Sequence, residues 1–585
     1  MNKRGLGSVA VATATVLLLG ACGSVEEGSD VEDTYNFATE QVVNPSDATG
    51  GTLRFGYSDQ IESTDPGNTY YGYNWNFTRF YARALMTYAP DVGTAGTAAV
   101  PDLAVDLPVP SDDGLSWTVK IHPGLKYEDG TEIVAEDIKY AVARSNYGEE
   151  LLNGPKYFQE LLADSDSYAG PYAGGDPLAG FGGIETPDDH TLVFKLKRPF
   201  ADFPYILTEP QSAPVPVDTE EGKGELYQTR VLSSGPYKFA EDYQPGSGLH
   251  LVRNDQWDPA TDPIRKALPD EITVEEELDP NEIDQRLMTG ALDVDLGGNG
   301  LSPAAKGAAI SDGQIKPRLD NPSTGAVRYA AINTQVEPLD DVACRQAIMF
   351  AADHDSLRRA WGGEIGGEIP TQFLPPTLAG HDATIDFYPS EDDKGDADLA
   401  LEKLQECGEP DGFSTNIAVR SDRPAEVEAA QALQQSLERV GISTEIKEYP
   451  SSPFTKSYAG SPEYANSNDI GLTFYGWIPD WPTGYGVLYP LLYGGDNIRA
   501  QSNSNLSQLD DPDINRLLER STETTDPDEQ AAIYANVDRL VMENAAIVPA
   551  VFEKSVLYRP ENLTNVYFHS GYAMYDFMAL GTTNK

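Results

Sequence analysis

The chain is poor in cations, thiols and imidazoles, and each shortage closes off a class of function. Its 585 residues hold 41 Lys and Arg against 93 Asp and Glu, a formal charge of −52. Such a surface repels phosphate backbones and anionic lipid head groups, which argues against any nucleic-acid partner. There are three cysteines and six histidines, with no CxxC pair and no Cys/His spacing of a zinc site. No metal and no cofactor is therefore expected. The GxSxG elbow, HExxH, the Walker A loop and a GxGxxG following a strand are all missing, so the chain is not read as an enzyme. Acid pairs are frequent simply because acids are. Beyond the first twenty positions no apolar run approaches the ~20 residues of a membrane-spanning helix, which excludes a polytopic membrane protein. What is present is a 40% hydrophobic fraction, enough for a large core, and a length that fits roughly three or four structural units.

The first residues read as an address. Lys3 and Arg4 form a positive start, and residues 9–19 form an apolar stretch too short to span a bilayer, the pattern of a secretory signal over residues 1–21. Leu19-Gly20-Ala21-Cys22 resembles the lipobox of bacterial lipoproteins. The resemblance implies a diacylglycerol on the Cys22 thiol and a protein tied to the outer face of the cytoplasmic membrane. Two or more acyl chains would make that attachment lasting. Residues 22–50 are polar and acidic without periodicity, and are expected to be a flexible tether. In an oxidising compartment the two remaining thiols, Cys344 and Cys407, are expected to pair.

Along the body, residues 52–57, 117–121 and 192–196 alternate apolar and polar side chains and predict strands. Residues 416–419, the apolar stripe of 424–440 and residues 442–446 predict a βαβ unit and thus a parallel pair with a right-handed crossover. Asp526-Pro527-Asp528-Glu529 supplies an N-cap, Pro at N1 and an acid at N3 for a late helix. The residues alone point to an α/β protein of several lobes.

An ordered set of motifs then resembles one family. Pro101-Asp102-Leu103-Ala104, Trp117-Thr118-Val119-Lys120-Ile121, Lys126-Tyr127-Glu128-Asp129-Gly130-Thr131 and Ala135-Glu136-Asp137-Ile138 are followed by Ser234-Gly235-Pro236-Tyr237 and Arg253-Asn254-Asp255-Gln256-Trp257. Ile332-Asn333-Thr334, Arg345-Gln346-Ala347-Ile348 and Gly476-Trp477-Ile478-Pro479-Asp480 complete the set. The series is similar to family 5 extracellular solute-binding proteins, the peptide and nickel receptors of ATP-driven (ABC) importers. The resemblance implies a periplasmic-binding-protein type II-like fold of two main lobes plus an inserted third lobe. Lobe I would comprise 51–89, 213–320 and 552–585, the inserted lobe II 90–212 and lobe III 321–551. Crossings near Asn321 and Val551 would form the hinge of a cleft.

Ligand contacts are expected in the aromatic-rich stretch 474–493. In peptide-binding members the acid three residues after the matched Trp meets the ligand's α-ammonium group, and here that position is Asp480. Trp477, Trp481 and Tyr485 would add apolar faces, and Tyr71 and Tyr73 would stand at the cleft mouth. The sequence departs from the family at Phe474, where some tripeptide receptors offer a carboxylate-binding Arg, so the partner of a ligand carboxylate is left open. The resemblance implies a monomeric, lipid-anchored receptor that closes on an oligopeptide or similar solute and delivers it to a permease and its ATPases. Alternatives are a same-family receptor for an oligosaccharide or nickel chelate, a peptide-pheromone sensor, and a cell-surface hydrolase.

Overall fold

Three large β-sheets organise the described residues: the first two contain strands whose alternation is visible in the sequence, and the third contains the expected βαβ unit. The computed structural model describes residues 35–148, 150–217 and 224–584. Cys22 and the signal lie outside the described residues. Thr52–Gly56 buries Leu53 and Phe55 and runs parallel to Glu271–Glu275 on one side and Val294–Asp295 on the other. Leu249–Arg253 and Tyr237–Phe239 extend this sheet antiparallel.

The second sheet is antiparallel throughout, in the order Val109–Pro110, Ser116–Lys120, Thr191–Lys195, Ile184–Asp188. Its inward side chains, Trp117, Val119, Leu192 and Phe194, meet the helix Ala135–Asn146 through Ile138 and Val142 in one core.

The third sheet has six strands, in the order Gly367–Glu368, Ile547–Lys554, Ser323–Ile332, Ile470–Trp477, Ser414–Arg420, Ser443–Tyr449. The βαβ unit is its far end. Ser414–Arg420 and Ser443–Tyr449 pair in parallel, and the helix Pro424–Glu438 between them buries Ala429, Ala430, Leu433 and Leu437. The late helix forms as its cap motif implies: the Asp526 carboxylate accepts the backbone N–H of Asp528 and Glu529 at 3.0 Å each, opening Pro527–Glu543.

The chain leaves the first sheet's neighbourhood at Leu319–Asp320 and returns at Leu557–Tyr558, and these two crossings pair antiparallel. Asp320 is buried there and is held by Arg559 and the Tyr575 hydroxyl.

One expectation fails over its described part. Residues 35–50 are docked rather than free: Val43 bridges Val566, the Ser46 N–H donates to Asn565, and the Gly50 N–H donates to Leu268. Ala38 is fully buried, and its N–H donates to Asp320 at 2.9 Å. Polar composition hid this because the segment is held through its backbone, which composition does not report.

Cys344 and Cys407 are bonded, with Cα atoms 5.5 Å apart, joining the helices Val342–Ala351 and Ala397–Glu406 across a sequence separation of 63. Closing a loop of that length removes about 4 kcal/mol of unfolded-chain entropy. Reduction with dithiothreitol should therefore lower unfolding stability by about 2–4 kcal/mol, measured by urea titration with and without reductant. An unchanged midpoint would show that the bond constrains nothing that folding needs.

Candidate functional site

The strand Ile470–Trp477 ends opposite Val327, and the chain then turns through Ile478, Pro479 and Asp480. Pro479 and Pro482 lack an N–H, so the sheet ladder cannot continue and the segment is turned off the sheet edge. The helix Tyr485–Leu492 follows. Gly484 at its start lies against Tyr534: a Cβ there would sit 2.5 Å from the ring, so no larger residue fits without displacing it.

Spacing of four residues puts Trp481, Tyr485, Tyr489 and Tyr493 on one side of the helix and its approach. Their rings stack in series, with centroids 6.1, 4.6 and 4.6 Å apart. Trp481 is fixed by its Nε1–H, which donates to Asp202 at 2.8 Å. The same buried carboxylate accepts Thr483 Oγ1 at 2.5 Å and Gln530 Nε2 at 2.8 Å. Asp202 belongs to the segment following the second sheet, so this knot ties that segment to the third-sheet region.

This aromatic wall borders a cavity of about 510 Å³, within the range of small-ligand sites. Its lining comes from three separated stretches of chain: Tyr70, residues 157–206 and residues 477–499. Asp480 stands in that lining. One carboxylate oxygen accepts the Tyr70 hydroxyl at 2.8 Å and the other accepts the Tyr157 hydroxyl. A second cavity of about 260 Å³, bordered by Tyr71, Trp75, Leu378, Ile478 and Tyr572, also has Tyr70 and Asp480 in its wall. The Tyr70–Asp480 bond is thus the shared partition between the two chambers.

Among the described residues, Asp480 has no cation within ion-pair distance. Burial raises the Asp480 carboxyl above its ordinary value, and the Tyr157 and Tyr70 hydrogen bonds pull it back only in part. Burial first, and the charge of Asp480 second, hold both phenols well above their usual range, so they remain donors. Close by is Glu209, 2% exposed, whose two carboxyl oxygens have no hydrogen-bond partner among the described residues. Burial, then the charge of Asp480, pushes its pKa well up. An unpaired buried acid is costly to ionise.

The residues singled out from sequence distribute unevenly. Asp480, Trp477, Trp481 and Tyr485 all line the larger cavity, and Trp477 is pinned by its Nε1–H donating to the Gly486 carbonyl at 2.8 Å. Tyr71 is 54% exposed and lines the smaller cavity. Tyr73 lines neither: it is buried between Tyr57 and Tyr71, with ring centroids 4.9 and 5.8 Å away. Arg345 packs helix to loop, donating to the carbonyls of Leu339, Asp340 and Asn544. Sequence reasoning missed Tyr157, Arg198 and Glu209. They lie on 90–212, and no local pattern announces a contact made by folding that stretch against residues some three hundred positions later.

Among the described residues, no group of three or more His, Cys, Asp or Glu side chains could hold a metal ion.

Comparison with known proteins agrees with this architecture. The pattern described as "Bacterial extracellular solute-binding proteins, family 5 Middle" matches residues 98–498. A solved structure titled "Clavulanic acid biosynthesis oligopeptide binding protein 2" is 39% identical with a TM-score of 0.87, over 94% of this chain and 98% of that one. Heme-binding protein A of Haemophilus influenzae is 24% identical, covering 75% of this chain and 76% of the relative. Glutathione-binding protein GsiB of Escherichia coli is also 24% identical, covering 78% and 81%. The fold is the α/β, type II-like arrangement of two main lobes with an inserted third, and the chain belongs to the family 5 bacterial extracellular solute-binding proteins.

Proposed function

We propose that this solute-binding protein is the receptor of an ATP-driven importer, anchored outside the cell membrane by a lipid on Cys22 and acting as a monomer on oligopeptides. The observation that carries the peptide reading is Asp480: a half-buried carboxylate on a cavity wall, oriented by two phenols and without an ion-pair partner among the described residues. An ammonium group in that cavity would supply the missing charge, and in a water-poor site such a pair is strong. Two of the three relatives support the same class, while the third is named for heme. One is titled an oligopeptide-binding protein, and another is named for glutathione, itself a peptide.

The mechanism is a hinge in which no bond is made or broken. The lobes assigned to 51–89 with 213–320 and 552–585, to 90–212, and to 321–551 would part at the paired crossings Leu319–Asp320 and Leu557–Tyr558; the second lies later than the Val551 expected from the family, because Val551 sits inside the third-sheet strand Ile547–Lys554. A ligand touching both sides only in the closed form shifts the open/closed equilibrium by the difference in its affinities for the two.

Mass spectrometry of the protein purified from its own host tests this directly. Near-stoichiometric peptides with free amino termini are expected, together with an upward melting shift when a cognate peptide is added back. Sugars or metal chelates in place of peptides would overturn the ligand class. Turnover of labelled peptides would overturn the receptor reading.

A further inference from the structure

Resting on the reading of Asp480 as the amine site, we propose that Arg198 is the carboxylate subsite of the same cavity, so that the site takes a short peptide with both termini free. Arg198 follows the strand Thr191–Lys195 and lines the cavity that Asp480 lines. Its guanidinium rests 5.6 Å from the centre of the Phe200 ring and 5.8 Å from that of Tyr489, and one Nη donates to the Tyr485 hydroxyl at 3.3 Å. Two aromatic faces and one hydrogen bond orient the planar fork while leaving most of its five N–H donors uncommitted.

Other arginines of the interior are spent on structure. Arg83, Arg144 and Arg265 each hold a buried aspartate within 2.8 Å. Arg198 has no carboxylate within ion-pair distance among the described residues. Glu160, also on the cavity wall, acts on it only at longer range. A guanidinium beside two rings, on a cavity wall and without an ion-pair partner among the described residues is suited to bidentate capture of a carboxylate.

The two poles are separated by an aromatic wall. The Tyr157 hydroxyl meets Asp480, the Tyr157 ring packs on Trp481 at 5.3 Å, Trp481 stacks on Tyr485, and the Tyr485 hydroxyl meets Arg198. Three rings between the charges are too many for one amino acid, whose ammonium and carboxylate share a Cα. They suit a chain of a few residues at ~3.3–3.6 Å each.

Calorimetric titration of wild type, R198Q and R198K with di- to pentaalanine tests the assignment, using each peptide free, C-terminally amidated and N-acetylated. Amidation should weaken binding to wild type by about tenfold or more. R198Q should lose a similar factor for the free peptide and lose nothing further on amidation, R198K should recover part of the loss, and melting temperatures should stay unchanged. Equal amidation penalties in wild type and R198Q, or none in either, would overturn the role of Arg198 and leave the amine site standing. An amidation penalty with harmless N-acetylation would overturn the amine site and keep Arg198. Failure of wild type to bind any of the peptides would overturn the peptide reading and this subsite with it.

Discussion

Replacing Asp480 by Asn should reduce affinity for an amine-bearing peptide by about 2–5 kcal/mol, the cost of leaving one member of a desolvated charge pair without its partner. The side chain is nearly isosteric and its carbonyl still accepts one phenol, so the loss reports charge rather than shape. The pH dependence has a definite sign. Burial raises the Asp480 pKa in the empty protein, so a proton competes with the ligand's ammonium, and wild-type affinity falls as pH drops through that raised value. For folding of the empty protein the same shift works the other way. A raised carboxyl pKa gives stability that is complete below the unfolded-chain value and is lost as pH rises through the folded one. Asp480→Asn should flatten both dependences. Titration of free and N-acetylated peptide between pH 4 and 8 would show it, and an Asn variant that binds as tightly as wild type across that range would remove the amine site.

The second large effect is expected on folding. Asp65 and Arg144 are both completely buried and meet end-on, Nη1 to Oδ1 at 2.9 Å and Nη2 to Oδ2 at 2.7 Å. Asp65 also accepts the Gly67 N–H at 2.9 Å, closing the turn Asp65-Pro66-Gly67 that leads to Tyr70. The pair joins that turn to the helix Ala135–Asn146. Asp65→Ala would remove the buried carboxylate to which both Nη groups and the Gly67 N–H donate, a loss of about 3–5 kcal/mol. Denaturant unfolding should show a lower midpoint, and ligand affinity should fall because Tyr70 loses its fixed approach to Asp480. Replacing both residues by apolar ones of similar volume should restore much of the stability but not the turn's hydrogen bond to Gly67. A single Ala variant with wild-type stability would show that this ion pair contributes nothing to folding.

Short-range chemistry explains what could be read in advance. The alternation of Leu53 and Phe55, the stripe from Ala429 to Leu437 with its flanking strands, and the Asp526 cap all act within one element or one βαβ unit. Their physics is complete in a window of a few tens of residues. Asp480 was legible only because its motif resembles a family whose ligand chemistry attaches to that position. Asp65 illustrates the limit: its neighbours Pro66 and Gly67 mark a turn correctly, yet the turn's main energetic partner, Arg144, lies far along the chain.

Sequence by itself determined the lobed α/β class, the net acidity, the family and the aromatic stretch containing Asp480. Tertiary structure alone decided that Tyr70 and Tyr157 orient that carboxylate, that Glu209 is buried beside it with no hydrogen-bond partner among the described residues, that Arg198 opens into the same cavity, and that residues 35–50 are docked. The reason is range. Periodicity and capping record forces between near neighbours, whereas a cavity's charge balance is set by side chains that meet only after distant stretches of chain have packed together.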